Sequence, residues 1–178
     1  LLLSPHASAR ILSVDVSEAE RLPGVRAVVT GQGLDYRLGL YLKDKRILAS
    51  DRVRYRGEAV AAVAADTAAI AQAACDRIRV QYEPLPAILD ARDAMDAAAP
   101  LVHPNLGSYE HMEGVFFPRA GTNIAHHQKT RRGDFDRAFA EAEVTLTASF
   151  FNPAVQHVPM ETHATIAQAL PGGRMELW

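Results

Sequence analysis

The sequence predicts an α+β fold, with helices and strands mixed rather than a helical bundle or a β-sandwich. Two observations predict it. Apolar residues recur with period two in several short runs, and between those runs stand stretches with helix-start signals, giving the order strand, helix, strand, strand, helix, strand. Pro-Gly, Gly-x-Gly and Pro-x-Pro punctuation then stops each element after a few residues.

Arg10 to Val16 alternates, which places Leu12, Val14 and Val16 on one face of a half-buried strand. Ser17-Glu18-Ala19-Glu20 has capping-box spacing and predicts a short helix, stopped by Pro23-Gly24. Val25 to Thr30 is β-branched and alternating, a second strand that Gly31-Gln32-Gly33 ends. Residues 34–50 lack a period and read as a surface or interface loop. Val53 to Tyr55 and Ala59 to Ala65 form strands on either side of Gly57, as a hairpin or a sharp bend. Asp66 or Thr67 caps an alanine-rich helix that runs to about Asp76. Ile78, Val80 and Tyr82 alternate on the next strand, and Pro84-Leu85-Pro86 removes two donors and stops the ladder.

Further along, proline, glycine, histidine and asparagine interrupt residues 96–122, so the sequence divides into a first domain over 1–105, a linker over 106–122 and a second domain over 123–178. In the second domain Asn123 to Thr130 reads as a strand. Asp134 reads as the N-cap of a helix over Phe135 to Glu141, with Phe135, Ala138 and Phe139 facing inward. Val144 to Phe151 is a long alternating strand, and Pro171-Gly172-Gly173 turns the strand after Glu161 into the one formed by Arg174 to Trp178. The apolar start, Leu1-Leu2-Leu3, and the apolar finish, Met175-Glu176-Leu177-Trp178, read as pieces of strands, so the sequence is expected to be an excerpt of a larger protein.

Composition excludes several classes of function. With 48% hydrophobic and 22% charged residues the 178-residue chain is ordinary for a globular protein, and at this length folding hides roughly 70% of the unfolded surface. A formal charge of -2 gives no pull toward nucleic acid or an anionic membrane. The basic cluster Lys129-Thr130-Arg131-Arg132 is too short for a binding tail. Asp66, Thr67 and Gln72 break the apolar stretch from Ala59 to Ala74, so no membrane span is expected and the default compartment is the cytoplasm. A single cysteine, Cys75, cannot form an internal disulfide or hold an iron-sulfur cluster or zinc alone.

Few residues point to chemistry. His126-His127 with His157 and His163 is the one candidate metal cluster, but neighbouring strand residues face opposite ways and no Asp or Cys accompanies them, so satisfied polar histidines are the expected outcome. Cys75 sits among alanines and reads as packing. Gly31-Gln32-Gly33 lacks the third glycine, lysine or following helix of a phosphate loop, and Glu141 and Glu143 are exposed helix-end charges. Glu58, directly after Gly57, either pairs with Arg54 or Arg56 or is a carboxylate held at the domain edge. Glu161, between Met160 and Thr162 in a strand expected to be buried, needs a partner, and serves either as a structural acceptor or as a cofactor or substrate contact.

Four runs, in a fixed order, resemble the large subunit of the molybdenum hydroxylases, the family of xanthine dehydrogenases, aldehyde oxidases, nicotinate-type dehydrogenases and carbon monoxide dehydrogenases. They are Ser4-Pro5-His6-Ala7-Ser8-Ala9-Arg10-Ile11, Val53-Arg54-Tyr55-Arg56-Gly57-Glu58-Ala59-Val60-Ala61, Tyr82-Glu83-Pro84-Leu85-Pro86 and Gln156-His157-Val158-Pro159-Met160-Glu161-Thr162-His163. Arg132-Gly133-Asp134-Phe135 is similar to the family's entry into its cofactor domain. Thr162 stands where many bacterial members carry proline, as in the Leu-Glu-Thr-His form of the xanthine dehydrogenases. The resemblance implies an α/β hammerhead domain followed by the first strands and helix of a domain that binds molybdenum with molybdopterin or molybdopterin cytosine dinucleotide. It implies oxidation of an aldehyde or N-heterocycle with oxygen from water, and as partners the remaining domains of the large subunit together with iron-sulfur and flavin subunits or domains. The family's glutamate base and glycine-rich pterin loops have no counterpart in these residues. No catalytic residue and no metal ligand is therefore expected here, and Gln156 and Glu161 are the candidates for the cofactor wall. The alternative is a non-catalytic interaction module or an inactive fragment with the hammerhead fold.

Overall fold

The computed structural model describes every residue except Ala154, and it divides into two compact units, Leu1–Thr130 and Arg131–Trp178. In chain order the elements of the first unit are β1 (Leu2–Leu3), β2 (Ala9–Asp15), α1 (Ser17–Glu20), β3 (Val25–Thr30), β4 (Arg37–Leu38), β5 (Lys45–Arg46), β6 (Arg52–Val53), β7 (Ala59–Ala65), α2 (Ala68–Cys75) and β8 (Arg79–Pro84). Short 3-10 turns follow at Asp93–Met95 and Leu106–Ser108. The second unit holds α3 (Phe135–Glu141), β9 (Ala167–Leu170) and β10 (Arg174–Leu177).

Two antiparallel three-stranded sheets build the first unit, ordered β1-β7-β3 and β6-β2-β8. Because side chains alternate along a strand, Val60 and Ala61 of β7 face opposite ways, and both are fully buried. Val60 joins Ala9, Ile11, Ala49 and Val53 between the sheets. Ala61 joins Ala19, Ala74 and Ile78 beneath the two helices. Burial on both faces accounts for the alanine-rich composition of β7, since only small side chains let α2 approach closely. Of the two caps the sequence offers, Asp66 and Thr67, the Thr67 hydroxyl caps α2 by accepting from Ile70 N–H at 3.2 Å.

Several expectations are corrected. In β2 the register shifts between Ile11 and Ser13, so a bulge switches which residues face inward: Ala9 and Ile11 are buried, Val14 packs against both cores, and Leu12 is 56% exposed. The Ser17 capping box does not form. Val16 occupies the N-cap position without a side-chain bond, and the Asp15 carboxylate instead accepts from Ser17 N–H at 2.9 Å, which holds its pKa below the ordinary value. Gly57, at φ 89°, makes a sharp bend rather than a hairpin, because β6 and β7 belong to different sheets.

That bend sits on a second one. Between β1 and β2 the chain also crosses from one sheet to the other, and the two crossings are bonded together: Ser4 N–H donates to Glu58 C=O at 2.9 Å and Gly57 N–H to Ser4 C=O at 2.8 Å. Glu58 is buried and its carboxylate accepts from Arg54 N–H at 2.5 Å, so it closes the bend through a backbone donor, with no ion pair to the Arg54 or Arg56 guanidinium among the described residues.

Residues 106–122, expected to form a linker, instead contribute Leu106 and Tyr109 to a third core with Leu42, flanked by Phe116. Residues 123–130 form no strand: backbone bonds join Arg119 N–H to Ile124 C=O at 3.0 Å and His127 N–H to Phe117 C=O at 3.2 Å, and side chains interrupt the ladder around them. Asn123 accepts from Val102 N–H and donates to Ala94 and Pro100 carbonyls, and His126 Nδ1 accepts from Phe117 N–H. The boundary between compact units accordingly falls after Thr130.

In the second unit Asp134 caps α3 through Arg137 N–H, and Pro171-Gly172-Gly173 joins β9 to β10 in the expected hairpin. Phe135 and Phe139 stack on each other at 5.5 Å but remain exposed rather than facing a core. Val144 to Phe151 forms no strand: its alternation suits a sheet, yet no neighbouring strand among the described residues pairs with it.

Burial raises the Glu58 pKa. A carboxyl that holds its proton more tightly folded than unfolded contributes fully below the unfolded carboxylate range and loses that contribution as pH rises through its folded value. Glu58→Gln keeps an acceptor for Arg54 N–H without the charge, so its stability at neutral pH is expected to equal or exceed the parent's. Glu58→Ala removes the acceptor of the half-buried Arg54 N–H and is expected to cost about 1 kcal/mol in denaturant titrations.

Candidate functional site

Gln156 and Glu161, the side chains picked out by sequence, lie on an irregular segment of the second unit, and both are exposed. Val158 between them adopts φ 43°, a left-handed conformation that an extended strand cannot contain. Glu161, Thr162 and His163 come together with Pro159 and Ala164 around one open concavity, whereas Gln156 does not line it. The expectation of a buried strand carboxylate is thus corrected, since burial requires a covering layer that the described residues of this unit do not form.

No group of three or more His, Cys, Asp or Glu side chains among the described residues could hold a metal ion. His126 is stacked on Phe116 at 4.5 Å and accepts from Phe117 N–H at 3.0 Å, so packing and a backbone donor satisfy it. His127 meets the Arg119 guanidinium, whose charge lowers its pKa. Cys75 is buried at the end of α2. Gly31 is required by packing, because a Cβ there would strike the Ala49 carbonyl.

The residues of the three earlier runs do converge. His6 meets Tyr82 edge-on at 4.8 Å, Arg10 pairs with Glu83 at 2.9 Å, and Leu85 N–H donates to Ser8 C=O at 2.9 Å. Together with the Ser4–Gly57–Glu58 bonds, these tie residues 4–11, 53–61 and 82–86 into one junction between the sheets. Backbone hydrogen bonds and packing hold the junction, and none of its side chains presents a nucleophile with a base.

A site that sequence reasoning passed over lies nearby in the same unit. A cavity of about 310 Å³ is lined by Asp44, Ile88, Leu89, His103, Leu106 and Asn123, among others. His103 Nδ1 stands 3.3 Å from the Tyr109 hydroxyl and Nε2 stands 4.0 Å from Asp44, while Arg37 lies over the Tyr109 ring at 4.5 Å. Burial, then the Arg54 charge, lowers the His103 pKa, so the ring is kept neutral. The one sequence signal was an apolar pair, Leu101-Val102, leading into a histidine within a proline-interrupted stretch.

Comparison with known proteins places this geometry. Residues 1–86 match the family model described as aldehyde oxidase and xanthine dehydrogenase, a/b hammerhead domain, and residues 116–178 match that of the molybdopterin cofactor-binding domain. The fold and this tandem define the class, a hammerhead followed by a molybdopterin cofactor-binding domain. The chain belongs to the molybdenum hydroxylase large-subunit family. It is 33% identical to the 6-hydroxypseudooxynicotine dehydrogenase complex subunit gamma of Paenarthrobacter nicotinovorans, over 96% of this chain and 21% of the relative. It is 34% identical to the carbon monoxide dehydrogenase large chain of Afipia carboxidovorans, over 98% and 22%. The aldehyde oxidoreductase of Desulfovibrio gigas superposes with a TM-score of 0.77 at 25% identity, over 99% of this chain and 19% of that one. The chain therefore spans about a fifth of the length of these relatives.

The described residues do not fit a complete cofactor site. Glu161 and His163 offer polar atoms on an open surface without enclosure.

A histidine with a lowered folded pKa contributes stability above its unfolded value and loses it as pH falls through the folded value. The thermal midpoint of the parent is accordingly expected to drop on mild acidification. His103→Gln should flatten that part of the profile, and identical slopes in the two proteins would refute the assignment.

Proposed function

We propose that this chain is the hammerhead scaffold and part of the cofactor wall of the catalytic subunit of a molybdopterin-dependent hydroxylase that oxidises an aldehyde or N-heterocycle with oxygen from water. The observation that carries this reading is the tandem of the two matched domains in one chain. The bound molybdenum centre supplies the oxygen transfer and electron uptake in such an enzyme. The residues of this chain supply position. The junction of residues 4–11, 53–61 and 82–86 holds the two sheets as one body, and Gln156 and Glu161 are proposed to meet the cofactor in the complete protein. The proposal extends to molybdopterin or its cytosine dinucleotide as the cofactor, to iron-sulfur and flavin partners that remove electrons, and to the cytoplasm as the compartment. Among the described residues no helix is long and apolar enough to cross a membrane.

Metal analysis of the complete protein is expected to find one molybdenum per large subunit, and turnover in labelled water should place the heavy oxygen in the product. The isolated 178-residue chain is expected to hold neither molybdenum nor pterin. In the complete protein, Glu161→Gln and Gln156→Ala should lower molybdenum content several-fold while leaving the fold intact. Stoichiometric metal on the isolated chain would overturn the division of labour proposed here, and full occupancy in both variants would remove these residues from the cofactor wall.

A further inference from the structure

Arg52 and Arg54 flank the fully buried Val53 at the end of β6, and Arg56 lies in the turn that follows. They line a second cavity of the first unit, about 270 Å³, whose remaining wall includes Ser8, Ile88 and Val102. Among the described residues none of the three arginines forms an ion pair. The carboxylates adjacent in sequence are engaged elsewhere: Asp51 lies 3.7 Å from Arg46 Nε, and Glu58 is buried against Arg54 N–H.

Two of the guanidinium groups are held in place by the fold. Arg52 donates to Leu101 C=O at 3.0 Å and to the Ser8 hydroxyl at 3.1 Å, and its Nε–H is buried without a protein acceptor. Arg54 donates to Val102 C=O and Arg52 C=O, both at 3.2 Å, which leaves its second terminal nitrogen free of protein partners among the described residues. Arg56 is exposed at the rim. Fixed guanidinium forks of this kind match the geometry of an oxyanion. Proline and aliphatic side chains, Pro86, Ile88, Leu89 and Pro100, form the opposite wall. Among the described residues the backbone N–H groups of residues 87–91 make no protein hydrogen bond, and the segment is tied at its far end by Asp90, which accepts from Arg92 and Ala94 N–H.

We infer that this cavity is a binding site for a small organic anion, a carboxylate with a short apolar body, whose charged end meets the three arginines and whose apolar end packs on the residue 86–89 strap. The volume is close to the lower bound of small-molecule sites, about 300 Å³, which excludes bulky ligands. The inference stands independently of the redox function proposed above, because it uses only residues of the sheet junction.

Calorimetric titration of the complete protein with hexanoate tests it, with acetate, inorganic phosphate and hexylamine as comparison ligands. Hexanoate is expected to saturate one class of site per chain, acetate to bind about tenfold more weakly for want of the apolar contact, and hexylamine not to compete. Arg56→Gln, at an exposed position without an ion pair, should fold normally and weaken hexanoate about tenfold, and added salt should weaken it further. Any hexanoate bound at a separate substrate site would be insensitive to Arg56→Gln, which keeps the two sites distinguishable. Absence of saturation at about 10 mM hexanoate, or an unchanged affinity in Arg56→Gln, would overturn the site. Phosphate binding as tightly as hexanoate would overturn the assignment of the ligand class.

Discussion

Two sheet-crossing bends share one set of backbone hydrogen bonds, and the first unit is organised around them. Residues 4–8 carry the chain from the β7 sheet to the β8 sheet, residues 54–58 carry it back, and Ser4 bonds both ways to the Gly57–Glu58 peptide region. Only a residue at ease with positive φ makes the second bend, which assigns Gly57 its place. An acceptor that reaches back four residues satisfies the half-buried Arg54 N–H, and the buried Glu58 carboxylate provides it. If either bend opened, β7 would lose its position between the two alanine- and valine-lined cores.

The junction also explains why charged and aromatic residues appear in runs that look functional. His6 against Tyr82 and Arg10 against Glu83 brace the same seam from the β8 side. These contacts are structural, and they fit the scaffold role proposed for this chain. The arginine side chains project from this seam. Among the described residues none of the three is engaged by a carboxylate.

The two units differ in how far they satisfy themselves. Residues 1–130 bury three clusters of apolar side chains. In residues 131–178 Leu170 alone among the described residues is half-buried, and Phe150, Phe151 and Leu146 face outward. A hairpin and a two-turn helix are too few layers to enclose a core, which is why the cofactor candidates Gln156 and Glu161 stand on the surface of this unit.

By itself the sequence determined the local pieces: β3, the Thr67-capped α2, β8 with its proline stop, the Asp134-capped α3 and the Pro171-Gly172-Gly173 hairpin. Each depends on a cap, a turn or a period contained within a few neighbouring residues. The four runs were likewise legible as a family resemblance, though not as a junction. Tertiary structure alone decided what depends on residues distant in sequence. The bulge that turns Leu12 outward is set by pairing with β8, and the packing of Leu106 and Tyr109 onto Leu42 turns an expected linker into core. Val144 to Phe151 has the pattern of a strand without a partner among the described residues. His103, the arginine cavity and the exposure of Glu161 were equally out of reach of sequence, because burial is a property of what surrounds a residue and local pattern records only its neighbours along the chain.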